Sequence, residues 1–270
     1  MEDIKQVIWP DAPFNLMEHS LLVGYRGSQA HGTYLPNTDP NSIDDIDLMA
    51  IVVPPKEYYF GIKSWDMCEA INDPWDIVAY EFKKFIGLLI KQNPNVLMML
   101  WLEPEHYIKV TELGEDLIKA RDLFSTRESA KTFIGYAHGQ LQRMTHIAGR
   151  GYLGAKRKQL VEKHGYDTKN AAHLLRLLHM GIEFLETGKL NVKRTWDKDL
   201  LITIKTGGMS LIDVNKLAAD SFDKIREAEK NSSLPKRLDL KKINELCMHI
   251  FEEWFDLNPH KGWIIESNDK

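Results

Sequence analysis

The sequence has 270 residues, of which 43% are hydrophobic, and carries a formal net charge of −4 at pH 7. A chain of this length can bury a sizeable core in one or two domains, and its acidic balance argues against general coating of nucleic acid. No stretch approaches the ~18 consecutive apolar residues of a membrane span, and the N-terminus has no basic start followed by an apolar run. We therefore expect neither a membrane span nor a signal peptide.

Residues 20–25 predict a short apolar strand that runs into a turn at Gly27 and Ser28. Glycine lets backbone N–H groups approach a phosphate closely, and the serine hydroxyl can donate a hydrogen bond to a phosphate oxygen. The pattern therefore indicates a phosphate-binding turn.

Residues 45–53 predict a second strand, and its alternation places Asp45 and Asp47 on one face. Two carboxylates in an otherwise apolar strand are costly to desolvate together unless a cation lies between them. Magnesium, which binds a few carboxylates together with substrate phosphates, fits this pattern.

A third strand is predicted over residues 75–80, and it carries Asp76, which could join the pair to hold two metal ions. A helix is predicted to follow from Glu81 to residue 90. Glu81 is the alternative third carboxylate, and its other interpretation is an acidic residue that faces the dipole of the helix.

Residues 139–176 form a basic segment with eight Lys or Arg side chains and only two acidic ones. Arg150, Lys156, Arg157 and Lys158 in this segment could follow a phosphate backbone, or could be a solvated surface. The helix predicted next is capped by Asp167 or Thr168 and ends at Gly188. One of its faces carries Lys169, His173 and Arg176. These side chains either form an ordinary solvent-exposed face or contact phosphates.

Two further helices are predicted near the C-terminus, one from Ser210 to about residue 229 and one over residues 239–255. Cys247 lies on the apolar face of the second, which predicts a small core residue. The only other cysteine, Cys68, has no partner spacing, so we expect no zinc motif, no disulfide and a reducing, cytoplasmic location.

The ordered set of strand, Gly-Ser turn, Asp-x-Asp strand and further Asp resembles the DNA polymerase beta nucleotidyltransferase superfamily. Within it, the chain is similar to the RNA-repair-associated branch, found beside RNA ligases in phages and bacteria. The resemblance extends over residues 18–215 and includes residues 76–85, 91–97, 135–141 and 165–178. It implies that the nucleoside triphosphate and metals are bound by Gly27, Ser28, Asp45, Asp47 and Asp76.

The pattern and the resemblance together predict an α/β (α+β) fold. A small mixed sheet would form a catalytic domain, residues 1–110, followed by a mostly helical substrate-binding domain, residues 111–270. The gap between Ser28 and Asp45 is longer than the superfamily pattern usually allows. The extra residues, 34–41, are predicted to form a loop inserted over the site. Selectivity for base and substrate is therefore left open.

The resemblance implies transfer of a nucleoside monophosphate from an NTP to an acceptor hydroxyl, with release of pyrophosphate. The expected NTP is ATP or CTP, and the expected cofactors are two Mg²⁺ ions (or Mn²⁺). Asp76 would assist deprotonation of the acceptor, and Lys169, His173 and Arg176 would contact the nucleotide. The expected acceptor is an RNA end, such as that of a tRNA. The alternatives are a protein acceptor, as in toxin–antitoxin nucleotidyltransferases, and an idle RNA-binding module. Oligomeric state is not predicted.

Overall fold

The computed structural model describes residues 9–36, 38, 39, 42, 44–145 and 155–257. Within these residues a single mixed sheet has the strand order β3-β4-β2-β1-β5. Its strands are β1 (Ser20–Tyr25), β2 (Ile46–Val52), β3 (Met67–Asn72), β4 (Trp75–Glu81) and β5 (Tyr107–Val110). Strands β2 and β4 pair in parallel, and every other neighbouring pair is antiparallel. The predicted small mixed sheet is therefore confirmed.

The described helices are α1 (Gly27–His31), α2 (Glu57–Phe60), α3 (Phe82–Ile90), α4 (Pro94–Leu97), α5 (Glu112–Lys119), α6 (Ser129–Thr145), α7 (Ala155–His164), α8 (Thr168–Thr187), α9 (Lys198–Lys205), α10 (Leu211–Asn231) and α11 (Leu240–Leu257). All five strands precede residue 111, so helices dominate the described chain beyond it. The α/β fold class is thus as expected, while the division at residue 110 stays a prediction. No helix within the described ranges has the length and apolarity to cross a membrane.

The parallel pairing of β2 and β4 positions the acidic residues. Asp47 lies directly opposite Asp76 in the register, because Ile46 pairs with Trp75 at the start of both strands. Side chains at paired positions of neighbouring strands point to the same face of a sheet. The fold therefore brings together two carboxylates that are 29 positions apart in the sequence.

Helix α8 is the central helix of the C-terminal region and packs against α6, α9 and α10. Gly181 makes this packing close, since a Cβ there would lie 2.7 Å from Ile225 and 2.9 Å from Phe133. The helix begins after Asp167, whose side chain accepts a hydrogen bond from the Asn170 N–H, and ends at Gly188 in the left-handed conformation. Both predicted caps are confirmed.

Candidate active site

A cavity of about 280 Å³ lies between the N-terminal turn of α1, the paired carboxylates of the sheet and helix α8. Among its lining residues are eight of the predicted site residues: Gly27, Ser28, Asp45, Asp47, Asp76, Lys169, His173 and Arg176. The structure thus brings together every predicted catalytic and nucleotide-binding residue. Gly27 and Ser28, predicted to open a turn, are the first two residues of the short helix α1.

The predicted RNA contacts are not part of this cavity as far as the structure describes them. Arg150 lies outside the described residues, and only the backbone of Lys156 and Arg157 is described, in α7. Lys158 is exposed on the same helix. Their role in binding a phosphate backbone stays a prediction.

Arg26 lies between the two paired carboxylates. Its Nη2 atom is 2.8 Å from Asp76 Oδ1 and 3.8 Å from Asp47 Oδ1. Burial raises the pKa of Asp47 to about 6, Arg26 opposes this shift, and Asp76 adds to it. Burial also raises the pKa of Asp45, which lies just before β2. A group of carboxylates that is this costly to ionise favours a bound cation.

Gly27 provides the space that the Asp47 carboxylate occupies. Its φ is +59°, and a Cβ at this position would lie 1.9 Å from Asp47 Oδ2. The backbone N–H of Arg26 donates to the Asp47 carbonyl at 2.9 Å, which fixes the turn against β2. Any side chain at residue 27 would therefore displace the carboxylate, which explains why glycine and Asp47 occur together.

The donor set fits a hard divalent cation, because carboxylate oxygens are the ligands that Mg²⁺ and Mn²⁺ accept. Within the described part of the chain, no three His, Cys, Asp or Glu side chains are already arranged as a metal-binding group. The guanidinium of Arg26 compensates part of the negative charge instead.

Glu81, the alternative third carboxylate, caps helix α3. Its carboxylate accepts hydrogen bonds from the backbone N–H groups of Lys83 and Lys84, at 2.8 and 2.7 Å. The Tyr59 hydroxyl donates a third, at 2.6 Å. Because Glu81 has these partners and Asp76 lines the cavity, the geometry favours Asp76 as the third acidic residue of the site.

Arg176 is a buried guanidinium on the wall of the cavity, only 8% exposed. Its Nη1 donates to the Met180 sulfur at 3.1 Å, and no carboxylate of the described residues forms an ion pair with it. Burial lowers its pKa to about 9, so the side chain is still charged at pH 7. A buried cation of this kind fits an anionic ligand in the cavity.

Comparison with known proteins identifies the family of this chain. The sequence model described as "RlaP: RNA repair pathway DNA polymerase beta family" matches residues 19–249. The chain belongs to the RlaP family. An uncharacterized protein, YcgL of Bacillus subtilis (strain 168), is 27% identical over 234 residues, 80% of this chain and 86% of the relative. The crystal structure of a nucleotidyltransferase-like protein from Exiguobacterium sibiricum 255-15 matches with 11% sequence identity and a TM-score of 0.26. The match covers 79% of this chain and 69% of that protein's chain.

Asp44 of this RlaP-family chain also lies beside the site, although the sequence did not predict it. Its buried carboxylate accepts a hydrogen bond from the Leu35 N–H at 2.9 Å and forms a buried ion pair with Lys205 of α9. Lys205 Nζ also donates to the Thr33 carbonyl at 2.9 Å. Asp44 therefore links the chain after α1 to α9, and it lines the cavity together with Asp45 and Asp47. The run Asp44-Asp45 was the only signal for it in the sequence.

His31 is a second lining residue that the sequence did not single out. Its Nδ1 is 3.0 Å from the Val192 carbonyl, and because a carbonyl only accepts, Nδ1 carries the proton. The backbone of Arg194 donates to the His31 carbonyl at 3.0 Å, and the Arg194 side chain pairs with Glu183 and Asp197. This network holds α1 against the segment that follows α8.

We expect His31 to make the fold sensitive to mild acid. Burial, reinforced by Arg176, lowers its pKa well below 6.5, so below that pH the unfolded state binds a proton that the folded state does not. The contribution of His31 to the free energy of unfolding should fall as the pH drops from 7 to 5. A His31→Asn variant keeps a donor for Val192 and should lose less stability over this range in urea titrations. Parallel pH curves for the two proteins would contradict the assignment.

Proposed function

We propose that the protein transfers a nucleoside monophosphate from an NTP to an acceptor hydroxyl and releases pyrophosphate. The observation that carries this proposal is the cavity that joins the Gly27-Ser28 turn, the Asp47–Asp76 pair and the buried Arg176. The family is described as an RNA repair branch of DNA polymerase beta, which supports the same reaction class.

Each group has a role that its position supports. The backbone at Gly27 and the Ser28 hydroxyl would bind the triphosphate, at the N-terminal end of α1. Arg176 and Lys169 would neutralise the charge that builds up on the leaving pyrophosphate. The acceptor oxygen would form a bond to the α-phosphorus as the bond to the pyrophosphate oxygen breaks, and Asp76 would take the hydroxyl proton.

Two Mg²⁺ ions, or Mn²⁺, would be held by Asp45, Asp47 and Asp76. When bound, they would supply charge stabilisation for the triphosphate and a lower pKa for the acceptor hydroxyl. Arg26 would then be free to leave the carboxylates and contact a phosphate.

For the substrates, we propose ATP or CTP as the donor and an RNA end, such as that of a tRNA, as the acceptor. The description of the family and the basic segment that includes Lys158 support an RNA acceptor. Binding through Lys and Arg releases counterions, so association with RNA should weaken steeply with salt.

The test is incubation of the protein with each α-³²P-labelled NTP, Mg²⁺, and either total cellular RNA or total protein. We expect label in RNA, from ATP or CTP, that disappears with EDTA. Label in protein alone would replace the RNA acceptor with a protein acceptor. Absence of label in both fractions, with all four NTPs, would contradict the proposed reaction.

A further inference from the structure

A second cleft, of about 500 Å³, adjoins the first cavity between α6 and the start of α8. One face of α6 provides Gly135, Tyr136, Gly139, Gln140 and Arg143, and the other described lining residues are Asn95, Lys169, Asn170 and His173. Asn95, Lys169 and His173 line both spaces, so the cleft continues the proposed triphosphate site. Its size lies within the ~300–1,000 Å³ of small-molecule sites.

The two glycines on this face of α6 are not required by packing. A Cβ at Gly135 or Gly139 would meet no atom within 4 Å, in contrast to Gly181 on α8, where neighbouring side chains are in the way. Glycine in the middle of a helix destabilises it relative to alanine. The glycines therefore leave the cleft open at a cost to the helix, and they give a flat ring room to lie against the helix backbone.

Gln140 supplies an independent indication of a ligand. Its side chain lines the cleft and is only 4% exposed, yet its Oε1 atom has no hydrogen-bond partner among the described residues. A buried acceptor without a partner is unfavourable, and native structures rarely keep one. A ligand in the cleft that carries an N–H donor would satisfy it.

We propose that this cleft binds the nucleoside of the NTP and that Gln140 selects bases with an exocyclic amino group. The proposal rests on the proposed function, which places the triphosphate next to Lys169. Adenine and cytosine carry such an amino group at C6 and C4, whereas guanine and uracil present a carbonyl at the corresponding position. Tyr136 and the glycine surface would contact the base, so Gln140 is a specificity residue and takes no part in the chemical step.

The first test fills the cleft. Calorimetry with Mg²⁺ would measure binding of α,β-methylene-ATP and of inorganic tripolyphosphate to the wild type, Gly139→Leu and the matched control Gly139→Ala. We expect Gly139→Leu to bind the ATP analogue at least ~10-fold more weakly, with unchanged affinity for tripolyphosphate. Neither variant should have a lower melting temperature, because both residues form helix better than glycine. Unchanged affinity of Gly139→Leu for the ATP analogue overturns the proposal.

The second test concerns base selection. The wild type should prefer α,β-methylene-ATP to α,β-methylene-UTP by ~10-fold, about the effect of one hydrogen bond to a buried group, and Gln140→Met should lose this preference. Equal binding of both analogues by the wild type overturns the role of Gln140 but leaves the proposed reaction standing. A wild type that binds neither the analogues nor tripolyphosphate overturns both. Loss of RNA binding alone in Gly139→Leu assigns the cleft to the acceptor and also overturns the proposal.

Discussion

Replacement of Asp47 by asparagine is expected to abolish nucleotide transfer and to raise the free energy of unfolding of the metal-free protein. Burial and the neighbouring Asp76 raise the pKa of Asp47 to about 6, against 3.8 for an ordinary aspartate. Since one pKa unit corresponds to ~1.4 kcal/mol, the ionised carboxylate costs the folded state at most about 3 kcal/mol. Asparagine has the same shape without this cost, and Arg26 keeps its contact with Asp76.

The stability of Asp47→Asn relative to the wild type should depend on pH. Between pH 4 and 6 the unfolded state has already lost the Asp47 proton while the folded state still holds it, so the contribution of Asp47 to wild-type stability falls as the pH rises. The advantage of Asp47→Asn should grow over this range and reach its maximum above about pH 7. Urea titrations at several pH values, beside NTP turnover with Mg²⁺, measure both effects.

The matched control is Asp223→Asn, which removes a carboxylate that is exposed on α10 and, among the described residues, pairs with Arg226 of its own helix. We expect normal turnover and a change of stability below ~0.5 kcal/mol in this variant. Asp45→Asn should lose activity like Asp47→Asn. Full activity in both site variants would rule out Asp45 and Asp47 as the acidic residues of the reaction.

The elements that depend on local sequence could be predicted closely. Strand β1 occupies the predicted residues 20–25, and α8 has the predicted cap residues at both ends. The helix expected to begin near Glu81 is α3, with Glu81 as its N-cap. Alternation, helical periodicity and caps are properties of a few adjacent residues, so one sequence is enough to recognise them.

The site was predictable in part. Gly27, Asp47 and Asp76 follow from motif and strand order, and the periodicity of α8 placed Lys169 and Arg176 on a common face. The supporting contacts were not predictable, because their partners are distant in the sequence. Asp44 and Lys205 are 161 positions apart, as are His31 and Val192. Only the folded chain shows that Arg26 bridges the acidic pair.

Arg176 is a charged side chain that the fold buries without a carboxylate ion-pair partner among the described residues. The position of this arginine on the predicted helix indicated either a solvent-exposed face or a phosphate contact. In the structure the side chain is buried beside the cavity, and the Met180 sulfur is its hydrogen-bond acceptor. A buried charge without a carboxylate partner costs several kcal/mol of folding free energy. Such a cost is retained where a ligand of opposite charge compensates it.

Arg176→Met should therefore stabilise the protein without nucleotide by about 1 kcal/mol or more, and should lower kcat/KM for NTP by ~10²–10³-fold. Methionine fills the space of the arginine stem and removes the charge. Thermal unfolding with and without the NTP checks both parts, because the stabilisation that the nucleotide gives to the wild type should be largely lost in the variant. Arg226→Met, on the exposed side of α10, is the control and should change neither quantity. A variant at Arg176 with normal NTP affinity would show that the guanidinium is structural and that the triphosphate lies elsewhere in the cavity.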